Sequence, residues 1–105
     1  MLLMRKIYFD AIRSGVKTTT LRYWRSCRIR PDSVHRVPGL GNVRIQDVRV
    51  VQPGQLTDAD ARADGFDGLA ALQAALDQLY PPNRRKGRRL YQVHFALLPT
   101  AGQGP

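Results

Sequence analysis

Apolar and polar positions change their spacing several times along the chain, and each change marks an element. Ile7, Phe9, Ala11 and Ile12 precede Ser14-Gly15, a short apolar run closed by a glycine. That spacing predicts a short helix with a C-terminal stop. Thr18 to Trp24, rich in Thr, Tyr and Trp, predicts a strand. Arg25 to Pro31 is a basic connector, and Val34 to Val37 a short strand ended by the loop Pro38-Gly39-Leu40-Gly41. Asn42 to Gln52 alternates through Val43, Ile45, Val48 and Val50. The alternation slips by one residue, so the pattern predicts a long strand with a bulge or bend near Asp47. Pro53-Gly54 turns the chain.

Leu56-Thr57-Asp58-Ala59-Asp60 then opens a helix that stops near Gly65. Thr57 is placed to cap it, and Asp58 and Asp60 suit its positive end. Asp67 is the expected cap of a second helix, from about Gly68 to Leu79. Leu69, Leu72, Leu76 and Leu79 form its apolar face. Tyr80-Pro81-Pro82 ends it, and Asn83 to Arg89 reads as a basic loop around Gly87. Leu90 to Leu98 predicts a closing strand, in which Tyr91, Val93 and Phe95 alternate with Gln92 and His94. The tail, 99 to 105, is Gly/Pro-rich and expected to be disordered. Strands distant in sequence must pair to bury this core. The pattern points to a small, partly closed sheet or barrel with helices outside it.

The 105 residues suit one domain, taken as residues 1–98, and a hydrophobic fraction of 43% supports a single core. The longest apolar stretches are far too short to cross a bilayer, so no membrane partner is expected. In Met1-Leu2-Leu3-Met4-Arg5-Lys6 the charges follow the apolar residues, unlike a signal peptide, and a cytoplasmic location is the expectation. The lone Cys27 excludes an intramolecular disulfide. Together with only His35 and His94 it is a poor set for zinc, so no metal or other cofactor is expected. Charge alters the picture more. Lys and Arg number 17 against 8 acids, a formal +9, and most of the excess is arginine. Such a balance favours a polyanionic partner, and arginine suits phosphate and bases. Five of the acids lie between Asp58 and Asp77, which leaves the remaining surface still more positive.

Gly15-Val16-Lys17-Thr18-Thr19-Thr20-Leu21-Arg22 places a cation and three hydroxyls directly after a glycine turn. Lys beside Thr can bind phosphate, or can deprotonate a hydroxyl if burial lowers its pKa. The same residues would also serve an ordinary solvated strand start. Ala11 to Arg22 resembles the I-x-x-G-x-K-T-x-T-x-R signature of ASCH domains. Leu56 to Phe66 resembles their L-T-x-x-x-A-x-x-D-G-F helix motif, and Tyr91-Gln92-Val93-His94-Phe95 resembles their closing Y-x-V-x-F strand. The order is right, and the resemblance spans about residues 5 to 98. It implies an α+β fold, a PUA-like small mixed β-barrel with helices packed outside, and a cleft where the first two motifs face each other. It also implies RNA or a modified nucleoside as partner.

One branch of that family is similar to acetylcytidine amidohydrolases, and another is ribonuclease-like. Carried over, the first branch implies Lys17, Thr20 and Asp64 as catalytic residues. That branch uses Glu where this chain has Asp64. The missing methylene displaces the carboxylate by about an ångström, enough to cost roughly 100-fold in rate. In an amide hydrolysis Thr20 would attack the acyl carbon and neutral Lys17 would take its proton. The trio serves equally well as a charged pair holding a ligand. In a regular strand Lys17 and Thr20 point to opposite faces, so the catalytic reading needs Lys17 in the turn after Gly15.

For RNA, Thr18, Arg22, Arg25 and Arg28 offer one polar and basic run, and Arg84, Arg85, Lys86 and Arg88 another. Tyr23 and Tyr80 are candidate stacking surfaces. Trp24, Phe66 and Phe95 are read as core, with Gly65 structural and Asp64 functional. Pro38-Gly39-Leu40-Gly41 lacks the helix and Lys of a phosphate-binding loop. His35 and His94 are read as structural. A monomer is the expected state, with a homodimer through the long strand edge left open.

Overall fold

The last strand, β4 (Arg89–Leu97), is buried at Leu90, Tyr91, Gln92, Val93 and Phe95. A strand buried on both faces has to sit inside a sheet with material above and below it. The computed structural model, which describes residues 1–99, places it there. The beginning of the expected tail, Pro99, is exposed, and the rest of that tail lies outside the described residues. β4 pairs with β1 (Thr19–Trp24) on one side and with β3 (Gly41–Val51) on the other, and β2 (Val34–Val37) pairs with β3. Every pairing is antiparallel, in the order β1-β4-β3-β2. The sheet curls into a half-barrel with helices packed against it, a small α+β, PUA-like architecture.

The expected slip in β3 is a β-bulge. Ile45 opposes Phe95, Asp47 opposes His94, and Gln46 between them is left without a partner. Because side chains alternate with a period of two, one extra residue resets the face. Val43 and Ile45 before the bulge and Val48 after it therefore all turn to the same core despite their odd spacing.

Each face of the sheet has its own core. Val37, Val43, Ile45, Val93 and Phe95 pack with Leu2 and with Phe9 and Ile12 of α1 (Phe9–Arg13). Leu21, Tyr23 and Leu90 pack with Leu56, Ala61 of α2 (Asp58–Ala63) and Leu72 and Leu76 of α3 (Leu69–Leu79). Of the face expected on α3, Leu72 and Leu76 are buried, Leu69 is half-buried and Leu79 is exposed. The first helical run is split, a 3-10 turn at Lys6–Tyr8 preceding α1. Trp24 packs half-buried on the first core, its ring 5.6 Å from Tyr91, and Phe95 lies fully inside. His35 shares a hydrogen bond with Ser33, and His94 one with Gln92. No helix among the described residues is long and apolar enough to cross a membrane.

Two local expectations are corrected. The stretch expected as a loop from Asn83 to Arg89 begins with a short helix, α4 (Pro82–Arg85), because Pro82 sits at its first turn, where a missing N–H costs nothing. Asp67 does not cap α3: its N-cap is Gly68, without a side-chain acceptor. The acceptor comes from the neighbouring helix, where Asp58 Oδ1 takes the Leu69 N–H at 2.9 Å. Asp58 is free to do so because Thr57 and Asp60 already close a capping box at the start of α2. Asp58→Ala should therefore lower stability by about 1 kcal/mol in urea unfolding. Asp67→Ala should stay within about 0.5 kcal/mol of the parent.

Candidate functional site

Two helices end on the same device. Gly15 follows α1 at φ 81° and Gly65 follows α2 at φ 95°, left-handed values that glycine adopts without strain. After α1, Gly15 N–H donates to Ile12 O at 3.1 Å and Val16 N–H to Ala11 O at 2.9 Å. After α2, Gly65 N–H donates to Arg62 O at 3.0 Å and Phe66 N–H to Ala61 O at 2.9 Å. Both are Schellman closures. The two ends are tied together, since Lys17 N–H donates to Ala11 O at 3.0 Å and Thr18 N–H to Ala63 O at 2.7 Å. Lys17 thus lies in the turn before β1 and faces Asp64, the C-cap of α2. Its aliphatic stem runs over Gly65, about 3.5 Å from where a Cβ would stand there.

Lys17 is 4% exposed and Asp64 5%. The ammonium donates to the Asp64 backbone carbonyl at 2.6 Å and lies 3.4 Å from Oδ2. Asp64 Oδ1 accepts from the Thr19 hydroxyl at 3.1 Å. The Tyr8 ring closes the assembly, its centroid 4.9 Å from the ammonium. Burial opposes both charges: it pushes the Lys17 pKa down against the pull of Asp64, with Arg22 adding to the drop, and it pushes the Asp64 carboxyl up. Arg22 donates from Nε to Thr20 Oγ1 at 3.0 Å and from Nη2 to the carbonyl of Leu3. Burial lowers its pKa as well.

Lys17, Thr20, Arg22 and Asp64 open together onto a cavity of about 300 Å³. Leu3, Met4 and Arg5 of the N-terminal segment form one side of it, and Leu72, Leu76, Leu79 and Tyr80 another. Tyr8 and Phe66 make an aromatic corner, their rings 6.3 Å apart at 64°. The two motifs are thus brought face to face, with Lys17 in the turn that a catalytic reading needs. Phe66 is half-buried and lines the cavity besides packing on the second core.

The other candidate residues are spread more widely. Thr18 is exposed, and its main chain bridges to α2 and to Phe95. Tyr23 is buried, with Tyr80 at 5.1 Å and the Arg85 guanidinium at 5.1 Å over its ring. Arg85 also donates to Tyr80 O at 2.6 Å and pairs with Asp77 at 2.7 Å. Arg84 lies over the Tyr80 ring at 5.4 Å and donates to Leu79 O at 2.8 Å. These two arginines satisfy carbonyls at the end of α3. Arg25, Arg28 and Lys86 are exposed and Arg88 is half-buried.

Sequence reasoning passed over Thr19 and Tyr8. Thr19 lay in view as the middle hydroxyl of three, on the strand face opposite Thr18 and Thr20. Nothing in the sequence marked Tyr8. Among the described residues no group of three His, Cys, Asp or Glu side chains is placed to hold a metal ion.

The raised Asp64 pKa has a sign consequence for stability. Between 3.8, the ordinary value, and its raised folded value, the folded chain holds a proton that the unfolded chain has lost. Asp64 therefore costs stability as pH rises through that window. The urea midpoint of the parent, measured relative to Asp64→Asn, should fall as pH is raised from about 4, and a rising difference would contradict this.

No family model matches the chain, and no curated protein matches it in sequence. Solved structures do share its fold. The hypothetical protein PH0355 superposes with a TM-score of 0.76 at 16% identity, over 91% of this chain and 95% of that one. An ASCH domain from Lactobacillus crispatus JV V101 superposes with a TM-score of 0.72 at 18% identity, over 86% of this chain and 69% of that one. Protein EF3133 from Enterococcus faecalis V583 gives 0.65 at 15% identity, over 88% and 70%. Motif order, sheet topology and these superpositions agree that the chain has an ASCH-type fold.

Proposed function

We propose that the cavity binds one nucleoside unit, free or unpaired within an RNA. The observation carrying this is the convergence of Lys17, Thr20, Arg22, Asp64 and Phe66 on one concavity of about 300 Å³. That volume is near the lower end for small-molecule sites, about 300–1,000 Å³, and accommodates one base with its sugar. Apolar and aromatic walls suit the faces of a base. The polar end supplies an ammonium, a guanidinium, a hydroxyl and a carboxylate, which suit its hydrogen-bonding edge. Calorimetric titration at low salt with cytidine and with acetylcytidine should give saturable binding. Phe66→Ala should weaken it about 5- to 100-fold, the worth of one aromatic contact to a base. Absence of binding to both nucleosides and to short RNA would overturn the reading.

The second reading is an amidohydrolase on acetylated cytidine, favoured by the desolvation that pushes Lys17 toward the neutral amine. Thr20 Oγ would attack the acetyl carbon as Lys17 Nζ takes its proton. That proton then goes to the departing cytidine nitrogen, and water hydrolyses the acetyl ester to acetate and free Thr20. Arg22, donating to Thr20 Oγ1, orients the hydroxyl. On this reading acetylcytidine is converted to cytidine and acetate by the parent, and Lys17→Ala and Thr20→Val lose the activity at least about 100-fold. The kcat/KM rises with pH through the lowered Lys17 pKa, since only the free amine accepts the proton. Chromatography of the reaction decides: no acetate from the parent removes this reading and leaves the binding one.

A further inference from the structure

Tyr80 lines the cavity, and its ring packs against Tyr23 at 5.1 Å. Tyr23 in turn lines a second, open groove of about 610 Å³ with Val50, Gln52, Arg85, Arg88 and Arg89. A lining ring of the cavity thus touches a lining ring of the groove. Gly87, at φ 72°, turns the chain from α4 into β4, and Arg88 N–H closes that turn on Arg85 O at 3.0 Å. Arg89 then faces Trp24 across the β1–β4 ladder, where β1 runs out into Arg25. Arg25 bends back to Gly87, its Nη1 about 3.3 Å from where a Cβ would stand there. The two basic runs, far apart in sequence, thus meet at one end of the sheet.

The arginines of this end differ in what they already hold. Arg85 is committed to Asp77 and to the Tyr80 carbonyl. Among the described residues Arg88 and Arg89 have no carboxylate within 4.0 Å. Neighbouring cations without counter-charges repel one another, and a bound anion relieves that repulsion. A guanidinium is matched by phosphate oxygens in pairs.

We infer that Arg88 and Arg89 hold the phosphodiester backbone of a single-stranded nucleic acid whose unpaired base enters the neighbouring cavity. The inference rests on the nucleoside reading of that cavity. The closeness of the two sites, whose lining rings Tyr80 and Tyr23 touch, favours a nucleoside within a strand as the ligand. A cavity sized for one base demands that the base leave any stack, which selects an unpaired strand over a duplex.

The test uses an eight-nucleotide single-stranded RNA and its DNA equivalent, each containing a cytosine base and followed by fluorescence anisotropy. Free cytidine, cytidine 5′-monophosphate and a blunt-ended RNA duplex are compared with them. The oligonucleotides should bind more tightly than cytidine, with an affinity that falls as salt is raised. Arg88→Gln/Arg89→Gln should weaken oligonucleotide binding about tenfold or more. It should flatten the logarithmic salt slope by about 0.7 for each phosphate that the variant no longer neutralises, and leave cytidine binding and the melting temperature unchanged. RNA binding above DNA would add a 2′-hydroxyl preference to the same groove. Equal oligonucleotide affinity and slope in parent and variant overturn the assignment, as does a duplex that binds as well as the single strand. A monophosphate that binds as tightly as the oligonucleotide overturns it too, by assigning the groove to one free phosphate. If Phe66→Ala leaves oligonucleotide affinity unchanged while Arg88→Gln/Arg89→Gln lowers it, the groove stands and the nucleoside reading of the cavity falls.

Discussion

The contact between Lys17 and Asp64 is the constraint around which the molecule is arranged. It places a cation and an anion out of reach of water, and such a pair contributes little net stability. What it does enforce is geometry. A lone buried charge is very costly, so the ends of α1 and α2 must come together, and their glycine closures make that approach possible. Thr19 and the Tyr8 ring complete the surroundings of the pair, so that the buried polar side chains have partners. Costly groups held in fixed positions beside a concavity are what a recognition or catalytic site requires.

The sheet makes this arrangement possible. β4 lies between β1 and β3 and is covered on both faces, which fixes its place in the frame. β1, which carries Thr19, Thr20 and Arg22, is held along its length by β4. The bulge at Gln46 keeps the first core continuous across a strand of eleven residues. That core anchors α1, and the second core anchors α2 and α3, so the two motifs approach from opposite sides of one frame.

The positive charge is divided between structure and surface. Arg22 binds the N-terminal segment and Thr20, while Arg84 and Arg85 close the end of α3. Others, Arg25, Arg28 and Arg89 among them, stay in solvent. A net charge of +9 therefore overstates the number of cations free for a partner, and of the free ones Arg88 and Arg89 line the groove at one end of the sheet, with Arg25 beside them at Gly87.

Periodicity and turn chemistry were enough for most elements. β2 spans the expected residues, β1, β3 and β4 shift by a residue or so, and the bulge falls beside Asp47. These features are local: they depend on alternation, on glycine at left-handed positions and on a capping box that runs only from Thr57 to Asp60. The candidate trio of Lys17, Thr20 and Asp64 came from the resemblance of two short motifs to ASCH domains, and the fold brings all three to one cavity. Tertiary structure decided the rest. Asp67 looks like the cap of α3 from its place in the chain, but Asp58 takes that role from another helix. Thr19 and Tyr8 gain their roles only because α2 and the start of the chain pack against Lys17. Whether an arginine is committed to a helix end or left for a ligand depends on which carbonyls and carboxylates lie nearby in space. That proximity is set by packing between distant segments, and no local pattern encodes it.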